Sequence, residues 1–432
     1  MPGKQWNNIC SSIDTCALTG AAAFFAGIPD AEILANGQLW CYFYALRYLE
    51  HSAYDMAERF HCSQPDNNAV VYGTEKFLLE TLARIQQSGR HPSVMLIENS
   101  CSISLIGDDL AGIARKASLD FPAVTMDCGG LTGGFAEGYV KACLNLLQTL
   151  PPAKRKTVKG TINILGLTDF YFNGVADREE ILRILRQAGY NIAAVPGSGS
   201  TLNDIASIAE AQLNIVINEE LGLPVAKYLK RRYDIPYIVV GMPYGIDGTK
   251  NWLQKINQVI PADTKDIFTE CDNIKKLLTT YSNDLRCSWG RIWFDNVLIC
   301  APGTTALCLA DAVRGEWLDT HCLQLICRNN IETVSLYPAA ADKIYQAEEH
   351  YAVISSLLQT SDKLLLMGSS NESSILIQHG KNFACCNIAY PVNDEVLLTK
   401  VPFAGINGSM HMMQRLWNAF IQNIKEENIC RS

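Results

Sequence analysis

Among side chains able to do chemistry, the thiols come first: the 432-residue chain carries 16 cysteines, yet none of them forms a CxxC pair. Three stand in suggestive settings. Cys16 opens the apolar, small-residue run CALTGAAAFFAGI, Cys41 closes the Gly-containing segment NGQLWC, and Cys101 follows the strand-like SVMLI in ENSCSISLIGDDL. That last position lies just past a strand's carboxyl end, where open α/β sheets place ligands. Thiolates so placed can ligate metal or carry redox chemistry. Taken singly, however, each cysteine of a reduced, Cys-rich chain reads as a small buried hydrophobe. Cys10, six residues before Cys16, is a rival for the first position. Cys128 is another candidate, and Cys62 beside His61 sits among polar residues that suggest an exposed loop. Cys385 and Cys386 fall in strand-like Phe383 to Tyr390, point to opposite faces and cannot easily chelate one ion.

Other constellations are weaker. Gly197-Ser198-Gly199-Ser200-Thr201 reads as a tight turn plus helix cap, because it lacks the lysine of a phosphate-binding GxxxxGK[ST] loop. The loop Gly129 to Gly134 suits close packing as well as ligand binding, and His411 in a Met-rich helical stretch reads as a core or interface residue. No Ser/His/Asp or paired-carboxylate arrangement stands out.

The elements that must position these residues follow from length and pattern. The length suits two or three α/β domains. A net charge of -8 argues against nucleic acid, and the basic run Lys154 to Lys159 reads as a solvated linker. Cysteines flanked by Leu, Ile and Ala (Cys300, Cys308, Cys322, Cys327) fit a reducing cytoplasm rather than a disulfide framework. No stretch approaches a membrane span, and Asp14 before the apolar run argues against a signal peptide. Strand and helix patterns alternate: Val70 to Tyr72, helix Glu75 to Gln87, strand Ser93 to Ile97 and helix Leu110 to Ala117 in the first third. The middle third repeats the theme with strands Thr161 to Gly166, Tyr190 to Val195 and Leu213 to Ile217, and the last third with strands Asn296 to Cys300, Cys322 to Cys327 and Lys363 to Met367. This is the rhythm of parallel sheets. Boundaries at the Pro151 to Lys159 linker and around Tyr281 to Arg286 divide the chain into segments 1–155, 156–286 and 287–432.

The ordered set of motifs resembles the nitrogenase component 1 family, which includes molybdenum-iron protein subunits, their cofactor-assembly scaffolds, the dark-operative protochlorophyllide and chlorophyllide reductases, and the reductase of coenzyme F430 biosynthesis. The resemblance rests on the three cysteines, YGTEKFLLETL, CGGLTGGFAEGYVKA, PGSGSTLNDIASIAEAQLNIVI, DKLLLMGSSNESSILIQHGKNF and VPFAGINGSMHMMQRLWNAF, taken in order over nearly the whole chain. The resemblance implies three Rossmann-like domains with parallel sheets flanked by helices, and an iron-sulfur cluster (4Fe-4S or 8Fe-7S type) ligated at a subunit interface by the matching residues Cys16, Cys41 and Cys101. Three thiolates leave a ligand to come from elsewhere. Small residues Ala17 to Ala23 are then expected to pack beside the cluster, with Gly37 bending the chain to aim Cys41 at it.

The partners so implied are an ATP-dependent P-loop iron-sulfur reductase protein, needed because this chain has no nucleotide-binding motif, and a homologous component 1 subunit in a heterotetramer or homodimer. The implied function is that of a nitrogenase-like oxidoreductase subunit for multi-electron reduction. The alternative is a non-catalytic scaffold for assembly of a metal cofactor. The sequence departs from the family at Asn36 and Trp40 in the turn before Cys41, and at Ser104, where an acidic residue is common. Asn218 stands where the nitrogenase catalytic subunit has a cofactor-binding cysteine.

Overall fold

The computed structural model describes residues 14–332, 340–359 and 363–431, so Cys10 lies outside the described residues. The described strands form three sheets. In the first, β1 (Ala31–Asn36), β2 (Phe60–Cys62), β3 (Val94–Asn99) and β4 (Ala123–Asp127) pair in the order β2-β1-β3-β4, all parallel. AEILAN and VMLIEN are buried along their whole length, as strands covered on both faces must be. Leu34, Met95 and Ile97 join a core with Leu78, Leu82 and Ile85 of the helix Glu75–Gln87 and with Leu110 and Ile113 of the helix Leu110–Lys116. The helices Ala17–Ala26 and Phe135–Thr149 also pack on this sheet and on each other.

That helix pair accounts for the small-residue run after Cys16. A Cβ on Gly20 would collide with the backbone of Phe135, and one on Gly138 with the backbone of Ala17. The two glycines therefore let helix meet helix at backbone distance. Gly20 thus makes room for a neighbouring helix.

Two local expectations also differ. Val70 to Tyr72 is not a strand but part of the short helix Ala69–Tyr72. Asp66 opens it by accepting the backbone N–H groups of Asn68 at 2.9 Å and Ala69 at 3.2 Å, which overrides the β preference of three residues. The stretch around Tyr281 to Arg286 lies inside the 25-residue helix Lys265–Trp289. Its polar character belongs to a helix exposed over much of its surface rather than to a loop.

The second sheet contains β5 (Thr161–Leu165), β6 (Asn191–Ala194), β7 (Leu213–Val216) and β8 (Tyr237–Val239) in the order β6-β5-β7-β8, with a helix in each connection. The third contains β9 (Trp293–Ala301), β10 (Asp319–Cys327), β11 (Lys343–Gln346), β12 (Leu364–Gly368) and β13 (Ala384–Asn387). Its order is β11-β10-β9-β12-β13, all parallel, so the chain changes direction across the sheet between β9 and β12. By contacts the chain divides into two compact units, 1–170 with 192–214 and 221–237, and 171–191 with 215–220 and 238–432. No helix among the described residues is long and apolar enough to cross a membrane.

Candidate functional site

The first sheet's carboxyl edge collects the thiols. Cys101 is the first residue of the helix Cys101–Ile106 that follows β3, and Cys41 lies in the first turn of the helix Leu39–Leu49 that follows β1. Cys16 is the N-cap of the helix Ala17–Ala26, tied by an isolated antiparallel bridge to Gly134 in the loop after β4. Each predicted cysteine thus sits at a helix start, where backbone N–H groups favour negative charge. All three are half-buried.

The glycine loop after β4 closes over the third cysteine. Gly130 donates its N–H to Cys101 Sγ at 2.9 Å. A Cβ on Gly129 would lie 2.7 Å from Cys101 Cα and 3.0 Å from its Sγ, so only glycine lets the loop come this near. Gly37 serves close approach as well: a Cβ there would collide with the Ser100 side chain. The bend before Cys41 is therefore a matter of space and not of left-handed backbone.

Electrostatics tie the group together. Burial pushes the Cys41 thiol up, and negative charge at Cys101, Cys16 and Cys62 pushes it further, while a hydrogen bond with Ser100 works the other way. Cys41 is thus within electrostatic reach of the other three sulfurs, and thiolates are the usual ligands of an iron-sulfur centre.

Cys62 is the member that sequence reasoning misplaced. It is not in an exposed loop but ends β2, level with Ala35 of β1, half-buried, with its thiol donating to the Gly37 carbonyl at 3.4 Å. The only sequence signal was FHC, three residues of strand too short to read as one.

Cys128 is fully buried, and its thiol is pushed well up by burial and then by the charge of Glu98. Glu98 itself is buried, and burial holds its carboxyl well above the usual range. Cys128 and Glu98 thus stand side by side in the interior below the half-buried thiols.

Neighbouring polar residues fix the frame. Ser104 donates to Asp127 Oδ1 at 3.2 Å, which sets an acidic group beside it. Asp109 caps its own helix by accepting the Gly112 N–H at 2.9 Å. Asp108 reaches across instead, accepting the Thr74 N–H at 2.6 Å and hydroxyl at 2.7 Å at the start of the helix Glu75–Gln87.

The turn at Gly197 to Thr201 is a turn and cap, as read from sequence: Gly197 and Gly199 have positive φ, and Thr201 forms a capping box with Asp204. His411 is half-buried, with Nδ1 3.0 Å from the Pro402 carbonyl oxygen, its ring beside Phe403, and burial lowering its pKa.

The segments that follow the four strands carry exposed apolar side chains. Each of the four strand exits leads to an exposed hydrophobic side chain: Trp40 (67%) and Tyr44 (67%) after β1, Tyr72 (84%) after β2, Leu105 (75%) after β3 and Leu131 after β4. Trp40 packs against both Phe43 and Tyr44, with ring centroids 6.5 and 6.2 Å away. Clustered exposure of this kind marks an interaction surface.

With this fold and site in view, the class of protein is defined: a family model for nitrogenase component 1 type oxidoreductases matches residues 16–421, and the chain belongs to that family. Within it, the chain is 23% identical over 385 residues to a subunit of the light-independent protochlorophyllide reductase of Nostoc punctiforme, spanning 84% of this chain and 73% of the relative. It is 26% identical over 254 residues to the nitrogenase iron-molybdenum cofactor biosynthesis protein NifE of Clostridium pasteurianum, spanning 58% and 54%. The solved structure described as nitrogenase Cp1 at pH 6.5 shares the fold, with a TM-score of 0.77 over 99% of this chain and 96% of that one at 14% identity.

Proposed function

We propose that the chain is a subunit of a nitrogenase-like oxidoreductase in which Cys16, Cys41 and Cys101 hold an iron-sulfur cluster at a seam with a second component 1 chain, either another copy or a sister. Low-potential electrons come from an ATP-dependent P-loop iron-sulfur protein and serve multi-electron reduction in the cytoplasm. Segments 1–155, 156–286 and 287–432 are its three domains, each with one sheet.

The observation that carries this reading is the placing of the three cysteines at helix starts on one sheet edge, with exposed apolar side chains in the segments that follow the strands. The donor set fits: thiolates are the usual cluster ligands, and the Gly130 N–H on Cys101 Sγ is the kind of hydrogen bond that sets cluster potential. When bound, the cluster supplies electron relay. The chain's own residues orient the sulfurs, through Ser100 and the Gly129-Gly130 turn, and a partner seated on Trp40, Tyr44 and Leu105 excludes water.

The test is anaerobic purification with iron and acid-labile sulfide analysis. Stoichiometric iron is expected in the wild type, with loss of most of it in Cys41→Ala and Cys101→Ala while the fold persists by circular dichroism. A colourless, iron-free wild type under reducing conditions would sink the proposal.

A second reading, a scaffold for cofactor assembly, is favoured by the similarity to NifE. The absence of a thiol at the buried Asn218 is compatible with either reading. Reduced iron protein plus ATP separates them: electrons pass beyond the cluster in a reductase, whereas a scaffold releases metal cofactor to an acceptor.

A further inference from the structure

The third sheet gathers a separate set of metal-binding atoms at its own carboxyl edge. Cys300 is the penultimate residue of β9, and Glu372 lies in the first turn of the helix Ser370–Gln378 that follows β12. His350 opens the helix His350–Leu358, and Arg328 follows β10. Cys300 Sγ, a His350 ring nitrogen and a Glu372 carboxylate oxygen all lie within 4.8 Å of one another, and all three residues are buried.

The carboxylate is held as a metal-ligating one would be. Its Oε2 accepts the Ser369 N–H at 2.8 Å and the Ser369 hydroxyl at 2.6 Å, with Arg328 Nη2 at 3.6 Å. Arg328 is anchored in turn by donating to the Tyr390 carbonyl at 2.5 Å. Oε1 is thereby turned toward the other two donors, with His350 Nε2 at 2.8 Å and the Cys300 thiol at 3.4 Å. A carboxylate only accepts, so both neighbours direct a hydrogen at the same oxygen.

We infer that Cys300, His350 and Glu372 form a binding site for one divalent transition-metal ion of the zinc class. A thiolate, an imidazole and a carboxylate make the mixed donor set that zinc and its neighbours accept, and that calcium and magnesium do not. One ion takes the place of the two hydrogens aimed at Oε1. The thiol proton leaves to solvent, the neutral imidazole shifts its single proton from Nε2 to Nδ1, and the Cys300 and Glu372 charges together match the two charges of the ion. Ser369 and Arg328 act as the outer partners that orient a ligating carboxylate. Three protein ligands leave one coordination position for water or a substrate atom. The place agrees, because the site lies at the carboxyl ends of β9 and β12, where the sheet order changes direction and open α/β sheets bind ligands.

The experiment titrates the chelator-treated, full-length chain with Co2+ under anaerobic conditions and reads thiolate-to-cobalt absorption, together with the zinc content of the untreated protein. Wild type is expected to bind an equivalent that Cys300→Ser removes from the spectrum and that His350→Gln weakens by about tenfold or more. Cys41→Ser is expected to keep it, which separates this site from the thiols of the first sheet. His350→Gln also guards against a Cys300 variant that fails to fold. The inference is overturned by an absorption unchanged in Cys300→Ser and His350→Gln, by one lost in Cys41→Ser, or by no uptake in wild type, the result expected of a buried ion cluster alone. Because no residue of the first site takes part, failure here leaves the cluster proposal standing.

Discussion

At the residue scale, buried carboxylates make the most direct predictions. Asp177 accepts the backbone N–H groups of Phe403 at 2.6 Å and Ala404 at 2.8 Å, both on Oδ1. Burial raises its pKa to about 7 against the pull of those hydrogen bonds. A carboxyl whose folded pKa is raised is protonated in the fold while the unfolded chain has already released the proton. Stability therefore falls as pH climbs from the unfolded value near 4 to about 7, and is flat beyond. Asn at this position keeps an Oδ1 acceptor for both N–H groups and has no charge to bury. Asp177→Asn is expected to gain on wild type across that window, by about 1–3 kcal/mol at pH 8. Urea melts at pH 5 and pH 8 check it, and a gap that narrows with rising pH would show the assignment to be mistaken. The same logic at Glu98, whose carboxyl burial raises well above the usual range, predicts that Glu98→Gln is more stable relative to wild type at pH 8 than at pH 5, measured in the same way.

At the element scale, two helical glycines should respond in opposite senses to one substitution. Gly to Ala inside a helix is worth about 0.5–1 kcal/mol in the unfolded chain's lost freedom. Gly248, in the helix Ile246–Val259, has nothing within 4 Å of an added Cβ, so Gly248→Ala is expected to stabilise by about that amount. Gly20 faces the backbone of Phe135, and backbone cannot yield as a side-chain tip can. The added methyl overpacks the crossing, at a cost of about 1–3 kcal/mol that exceeds the helix gain. Denaturant midpoints of the two variants measure the contrast. Gly20→Ala should also disturb the placing of Cys16, since Ala17 beside it is hydrogen-bonded to the Gly133 carbonyl at 3.1 Å in the same helix crossing.

At the scale of the whole molecule, the proposed seam with a second chain can be tested at its exposed aromatic side chains. Trp40 and Tyr44 are two-thirds exposed and packed against each other, so removing them costs the isolated chain little. Aromatic anchors at an interface commonly contribute about 2 kcal/mol or more each. Trp40→Ser with Tyr44→Ser is expected to weaken association with the partner chain by more than about tenfold, read by sedimentation of the co-purified complex, with circular dichroism of the single chain unchanged. An unaltered sedimentation profile would move the seam elsewhere.

The primary sequence by itself determined much of this protein. A continuous apolar run such as LLLM specifies a buried strand, because a strand covered on both faces has no polar side to show. The order of motifs from CALTG to VPFAG specifies the family, and PGSGST specifies a turn and cap through its glycines and Thr201. Tertiary structure decided the rest. Residues far apart in sequence meet only when parallel strands align their carboxyl ends, as Ala35 and Cys62 do. That alignment brought the misread Cys62 beside Cys41 and set Cys300 against His350 and Glu372, with spacings that carry no local pattern. The small residues after Cys16 announced a close approach, but only the helix crossing at Phe135 told what approached. Local chemistry writes the elements; the non-local register of strands writes the sites.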